Sequence, residues 1–406
     1  MSERIRFTII GAGVIGCAIA HRLSARYQDI AVIEKNTKVT GENQSSRNSG
    51  VVHAGVYYPR ELGALRSRLC VAGNSELYEF CSAHDVPARK VGKIIVATNE
   101  KELPFLEETY RIARENGVPD VRYISAGEVR HLEPNVCAIR ALLVPTSGIV
   151  EPTRLVYELH RLAVQNDAFF LFGTEVIRIE PDDDFFTVTT ISGGREETFQ
   201  TSVLINAAGL YSDRIARLVN PDFPHSIIPL RGEYAKFYKS RRSTLNHNGM
   251  NVYPVPHAVY PSGERADIDY DEYVSRLKAG EVLKTVGVHL TPTFDIVDDR
   301  YDIGIVVTIG PAYNRSISSR EDYSSGLLSE EHYLSRIEDY FPSIELDDIS
   351  LHQTGIQARL NDTYDWVIAR DAKYPNCIQL VGIDSPGLTS CLAIAGYVDE
   401  LINKGQ

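Results

Sequence analysis

The chain has 406 residues, enough for two or three domains or for one large α/β unit with a second one inserted. Its composition, 43% hydrophobic and 24% charged, is globular and argues against wholesale disorder. A net charge of −12 and the lack of a long Lys/Arg run argue against a nucleic-acid partner, and against an anionic membrane gripped through the overall field.

The start, MSERIRFTIIGAG, leaves no room for a signal peptide, and no apolar run nears the ~18 residues of a membrane span. A soluble, cytoplasmic protein is expected, with peripheral contact at the inner face of a membrane allowed. The six cysteines are scattered, without metal-ligand spacing, and read as reduced thiols.

Arg6–Ile10 reads as a strand, Gly11–Gly16 as a turn, Cys17–Arg26 as a helix and Ile30–Glu34 as a second strand. The polar linker Asn36–Gly50 contains QSSRNSG. Leu62–His84 is helical, Lys93–Thr98 is a strand and Glu100–Asn116 is a helix. Strands follow at Ala168–Ile179, Phe185–Ile191 and Val203–Asn206. Arg231–Tyr238, Thr285–Leu290 and Ile303–Ile309 alternate like antiparallel strands, and Tyr333–Tyr340 looks helical. The chain closes with a strand at Cys377–Gly382, a turn and a C-terminal helix. Parallel-type units at both ends with antiparallel strands between them predict a nucleotide-binding sheet interrupted by an antiparallel-sheet domain.

Gly11, Gly13 and Gly16 form GxGxxG between a strand and a helix. Such glycines allow a tight turn, close approach of a pyrophosphate, and close helix–strand packing. The helix N-terminus then faces the phosphates with its positive dipole end. Glu34 ends the next strand at the spacing of an acid that binds ribose hydroxyls, which disfavours a 2′-phosphorylated cofactor. Two later segments, VLINAAG at Val203–Gly209 and GIDSPGLT at Gly382–Thr389, add small-residue turns far down the chain. Three such turns fit the long FAD better than NAD.

GAGVIG with Glu34, SSRNSGVVHAGVYYP, SGIVEPTRL, LINAAGLYSD, LRGEY, YPVP, GVHLT and GIDSPGLTSCLAIA occur in this order over nearly the whole chain. In them the sequence resembles FAD-dependent oxidoreductases of the D-amino-acid-oxidase/glycine-oxidase type, and most closely the L-2-hydroxyglutarate dehydrogenase family. The resemblance implies one noncovalent FAD. Gly11, Gly13, Gly16 and Glu34 would hold its adenosine half, and Ser45, Ser46, Arg47, Asn48 and Ser49 would line the pyrophosphate and flavin. Val176 would meet the adenine through its backbone, and Ala208 and Gly209 would pack on the cofactor. Gly355, Ile356, Pro386, Gly387, Leu388 and Thr389 would sit at the ring end. The chain departs from the family in three places. Gln357 stands where arginine is common, with Arg359 two places on; Asp384 replaces a common Glu; and Ala258–Lys284 is inserted, a candidate cap for the substrate mouth.

Oxidising a 2-hydroxy acid removes hydride from the α-carbon and a proton from the hydroxyl, so a base is needed, and histidine suits neutral pH. His53 and His289 lie in the blocks expected at the flavin and the substrate; His352 is a weaker candidate. Carboxylate or phosphate binding falls to Tyr57, Tyr58, Arg231, Tyr253 and Arg359. No metal is expected. The expected fold is a Rossmann-like FAD-binding domain (1–84, 147–225, 348–406) interwoven with an antiparallel-sheet substrate domain (85–146, 226–347). The expected function is oxidation of a small 2-hydroxy acid, L-2-hydroxyglutarate first, with electrons passing to a quinone or another carrier. The alternatives are a glycerol-3-phosphate dehydrogenase or amino-acid oxidase of the same fold, or a non-catalytic flavin-binding or tRNA-modifying accessory protein.

Overall fold

A computed structural model describes residues 4–404. Its α/β core is a five-stranded parallel array in the order Phe169–Leu171, Ile30–Ile33, Ile5–Ile10, Arg195–Asn206, Cys377–Val381. Strand Val367–Arg370 pairs antiparallel at the far edge. Arg195–Asn206 is longer than its apolar end suggests. Its polar first half pairs antiparallel with Phe186–Ser192, which pairs with Thr174–Pro181. The parallel-paired segments are largely apolar because helices cover the sheet. Helices Val14–Ser24, Pro152–Gln165, Ala64–Ala83 and Gly387–Asn403 share one core with Ile9, Val32 and Ile378.

The second sheet has eight strands in the order Ser350–Leu360, Ile227–Tyr238, Arg300–Asn314, Leu290–Val297, Asn251–Pro254, Lys93–Ala97, Arg140–Val144, Arg122–Ser125. It is antiparallel except where Asn251–Pro254 meets Lys93–Ala97. Ser350–Leu360 belongs to the 348–406 segment expected in the first domain, yet ten of its residues pair with Ile227–Tyr238 in this second sheet. A small sheet of Val51–Val52, Gly148–Val150 and Ala88–Arg89 joins the two large ones.

Two expected strands are broken, each at a glycine in the left-handed region. Ala168–Ile179 is split at Gly173 (φ +62°), so its halves join opposite edges of the first sheet. Thr285–Leu290 is interrupted at Gly287 (φ +74°). Its first part, Leu283–Thr285, pairs with His257–Val259, and the second sheet resumes at Leu290. His289 therefore sits just ahead of its strand. The Ala258–Lys284 insertion forms helix Tyr270–Lys278, whose Tyr273 packs on Phe105. Lys284–Glu108 and Arg265–Glu102 ion pairs fasten it to that neighbouring segment.

Candidate active site

The glycine turn is built by contact. A Cβ on Gly11 (φ +103°) would lie 2.5 Å from the Ala207 carbonyl oxygen, and one on Gly16 would lie 1.8 Å from the Gly11 oxygen. The turn therefore presses directly on the start of AAG, bringing Ala208 and Gly209 beside it. A Cβ on Gly13 would lie 3.2 Å from the Ser45 hydroxyl, which accepts the Val14 N–H at 2.9 Å. Glu34 is buried, and its carboxylate accepts the Ala12 N–H at 2.7 Å and the Asn36 N–H at 2.9 Å. Burial raises its pKa while these two donors oppose the rise. Val176 shares a core with Ile10 and Ile33, and the ladder slips between Val176 and Arg178, which leaves the backbone there irregular.

The QSSRNSG loop docks on strand Ser350–Leu360. The Gln44 side chain accepts the Ile356 N–H and donates to the Tyr323 hydroxyl, both at 2.6 Å, while Gln353 donates to the Asn48 carbonyl at 3.0 Å. Gly355 allows this approach, since a Cβ there would meet the Arg47 oxygen at 2.1 Å. Within the loop, Ser46 accepts the Gly41 N–H, Asn48 ties Ser45 to Gly50, and Ser49 bonds Tyr234. Arg47 lies over the Tyr323 ring with its buried Nε unpartnered. The helix starting at Gly387 has neither a side-chain cap nor an acidic residue in its first turn, and the helix starting at Val14 likewise has no acid there. Two helix N-termini free of acids, an unpartnered guanidinium nitrogen and glycine surfaces that a Cβ would fill suit an extended, phosphate-bearing cofactor.

His53 follows the short strand Val51–Val52 and is clamped along its backbone. Its N–H donates to the Thr389 hydroxyl at 3.0 Å, and its carbonyl accepts from Asn74 at 2.9 Å. The ring Nε2 lies 3.3 Å from the Ser385 hydroxyl, which also bonds Tyr58. This joins Tyr58, Ser385, His53 and Thr389 around the Pro386–Gly387 turn. Burial, reinforced by Lys93 and His289, lowers the His53 pKa well below the usual histidine value.

The second sheet contributes a row of polar side chains. The Tyr253 and His289 rings stack at 3.7 Å with 14° between planes, and Tyr57 stacks on Tyr253 at 6.0 Å. His289 Nδ1 faces the Gly287 carbonyl at 3.3 Å, so the neutral ring carries its proton there and Nε2 bears the lone pair. That Nε2 and the Tyr57 and Tyr253 hydroxyls are buried without partners among the described residues. Burial and Lys93 push His289 down to about 3. Farther along, Gln357 donates to the Tyr313 hydroxyl at 3.1 Å. Arg359 lies over the Tyr313 ring, 3.5 Å from Asp384, which also holds Arg66 at 2.6 Å and Trp366 at 3.2 Å.

Two candidates lie apart from this group. Arg231 is 0% exposed, and its guanidinium is fully engaged by Glu233, Asp322 and the Ser325 carbonyl. It ties down the Asp322–Ser325 loop and has no donor left for substrate. His352 is exposed near the outer end of its strand. Four residues of the site escape the motif reading: Gln44, Asn74, Ser385 and Lys93. Lys93 opens the apolar run KIIVAT, where only its odd polarity marked it.

The comparisons with known proteins agree with this geometry. The chain is 29% identical over 415 residues to an L-2-hydroxyglutarate dehydrogenase of Indibacter alkaliphilus, covering 97% of each chain. It is 28% identical over 437 residues to the mitochondrial L-2-hydroxyglutarate dehydrogenase of Arabidopsis thaliana, covering 98% of this chain and 83% of that one. The dithionite-reduced L-alpha-glycerophosphate oxidase of Mycoplasma pneumoniae, solved with FAD bound, shares the fold: TM-score 0.81 at 23% identity, covering 99% of this chain and 95% of that one. Glycine oxidase from Geobacillus kaustophilus follows at TM-score 0.74 and 20% identity, covering 99% and 95%. The DAO family, described as FAD dependent oxidoreductase, matches residues 6–401. With that match running from the first strand into the C-terminal helix, the chain belongs to the DAO family of FAD-dependent oxidoreductases.

Proposed function

We propose that the protein oxidises a small 2-hydroxy acid, L-2-hydroxyglutarate first, to the 2-oxo acid. Similarity to L-2-hydroxyglutarate dehydrogenases along nearly the whole of both chains supports this reading. The observation that carries it is a pair of neutral histidines, His53 half-buried and His289 buried, the latter with a fixed Nε2 lone pair that has no partner among the described residues. Gly11, Gly13, Gly16, Glu34, the Ser45–Ser49 loop, Val176, Ala208, Gly209, Gly355, Ile356 and the Pro386–Thr389 turn would hold FAD. Bound there, FAD would supply the acceptor for the hydride leaving the α-carbon.

The chain's own task is the proton. His289 Nε2 takes it from the substrate hydroxyl, or His53 Nε2 does with Ser385 orienting the ring; alkoxide character then favours hydride loss. Carbon loses hydride, oxygen loses a proton, and a C=O bond forms. The burial that lowers both histidine pKa values keeps them in the accepting form. Arg359 and the tyrosines bind the acid's oxygens. Electrons then pass to a quinone or a carrier protein, with contact at a membrane surface no more than peripheral. Among the described residues, no helix is long and apolar enough to cross a membrane.

The test is a product assay with an artificial dye acceptor across L-2-hydroxyglutarate, glycerol 3-phosphate, glycine and L-proline. One 2-oxoglutarate per two-electron reduction of the dye, with the other three inert, is expected. Turnover of glycerol 3-phosphate or an amine in its place would replace the reading by another reaction of the same fold.

A further inference from the structure

Lys93 is 1% exposed and makes no ion pair or side-chain hydrogen bond among the described residues. An unpaired buried ammonium is costly, and proteins keep one only where something compensates it. Its Nζ lies 3.7 Å from the Tyr253 ring centroid and 5.1 Å from that of Tyr57, so two aromatic faces supply partial compensation. Three further polar atoms in this cluster lack partners: the Tyr57 and Tyr253 hydroxyls and His289 Nε2. Burial pushes the lysine down to about 7, against a weak opposing pull from Cys70; no carboxylate holds it up. An ammonium and two hydroxyls, all without acceptors, make a site for an anionic oxygen pair.

We propose that Lys93 binds the substrate's second carboxylate, the one not attached to the reacting carbon, with the Tyr57 and Tyr253 hydroxyls as further donors. The inference rests on the 2-hydroxy-acid reading above and adds the diacid to it. His53 is linked to Ser385 in the turn that also carries Asp384, and Asp384 stands against Arg359; His53 also lies within the field of Lys93. A five-carbon diacid with its hydroxyl at the histidines thus has a cation for each end. Burial is the main cause that holds both histidines down and the lysine charge the lesser one; pairing with a carboxylate offsets that lesser part, so binding the correct acid strengthens the base where the proton must go.

The test compares wild type with Lys93→Met and Lys93→Arg, all loaded with FAD. Glutarate, a diacid with no hydroxyl to oxidise, is titrated against the flavin absorbance band to give a dissociation constant. L-2-hydroxyglutarate and the monoacid L-2-hydroxybutyrate are then compared in anaerobic flavin reduction. Lys93→Met is expected to weaken glutarate and L-2-hydroxyglutarate by ~30-fold or more, as loss of one partner of a buried charge pair does. It should leave L-2-hydroxybutyrate binding unchanged and, with the charge that opposes the base removed, should not slow its flavin reduction, so the diacid preference collapses, and Lys93→Arg should recover part of it. The melting temperature of Lys93→Met should equal or exceed that of wild type, because a desolvated charge has been removed. Unchanged diacid preference in a folded, flavin-loaded Lys93→Met overturns the assignment alone. So does an equal fall in limiting rate for both acids, which would make Lys93 the base. A wild type that binds no glutarate and oxidises neither acid overturns both the assignment and the reading beneath it.

Discussion

Single residues carry the chemistry, and their environments set its pH dependence. Lys93 must be charged to bind an anion, and burial places its ionisation at about 7. The groups facing it are Cys70 and the Tyr57 and Tyr253 rings, with His53 and His289 inside its field. In the free enzyme the histidines are already neutral at pH 6.5, whereas the lysine loses its proton as pH rises through about 7. The second-order rate constant for flavin reduction by L-2-hydroxyglutarate should therefore fall on the alkaline side of neutrality. It should stay flat in mildly acidic solution, and Lys93→Met should lack the alkaline fall. A stopped-flow pH series reads both limbs. A base is typically worth ~10²–10⁴-fold, so His289→Asn or His53→Asn, whichever removes the true base, should cut the limiting reduction rate by that much and keep FAD. A variant that only raises the apparent substrate constant marks the binding histidine. Neither ring orientation was legible in the sequence, because both depend on contacts with residues distant in the chain: Ser385 for His53 and Tyr253 for His289.

At the scale of elements, the tight turn at Gly11 and the close packing at Gly16 were legible in the sequence. GxGxxG with Glu34 states its own geometry, and the contacts of Gly11 and Gly16 bear out the reasons for those glycines. Gly16→Ala places a methyl group 1.8 Å from the Gly11 oxygen, so the first helix must shift. FAD content after purification should drop sharply, with the protein remaining folded by circular dichroism. Beside the ribose contact proposed for it, Glu34 has a structural task that its spacing did not announce. Its carboxylate holds two backbone N–H groups, and leaving a buried donor unpaired costs ~1–3 kcal/mol. Glu34→Ala should accordingly weaken FAD binding and also lower the melting temperature of the FAD-free protein; an unaltered FAD-free melting temperature would show the bonds to be inconsequential. Less legible was Ser350–Leu360. It was not among the expected strands, and its pairing with Ile227–Tyr238 is settled by a partner more than a hundred residues away. Arg231 misled for a related reason: LRGEY resembles a substrate block, while the acids that neutralise its arginine include Asp322, on a loop with no motif.

Over the whole molecule, two sheets meet along the QSSRNSG loop, the Val51–His53 segment and the Gly382–Thr389 turn. The cofactor-holding parts come mainly from the parallel sheet. The histidine, lysine, arginine and tyrosines proposed to meet the substrate come mainly from the antiparallel one or the loops at its strand ends, with Tyr57, Tyr58 and His53 on the segment after Val51–Val52. Block order along the chain indicated two kinds of sheet but misplaced Ser350–Leu360, which pairs in the antiparallel one. What order could not supply was the packing across the junction, including the buried lysine. No attachment residue is needed for a cofactor held this way, so the flavin should leave with the supernatant on acid precipitation; flavin retained in the pellet would require a covalent bond. The most direct measurement of the central claim is anaerobic mixing of the FAD-loaded protein with L-2-hydroxyglutarate, following the flavin band. Bleaching with one 2-oxoglutarate formed per flavin is the predicted result. A band left unchanged by L-2-hydroxyglutarate but bleached by glycerol 3-phosphate or an amino acid would contradict it.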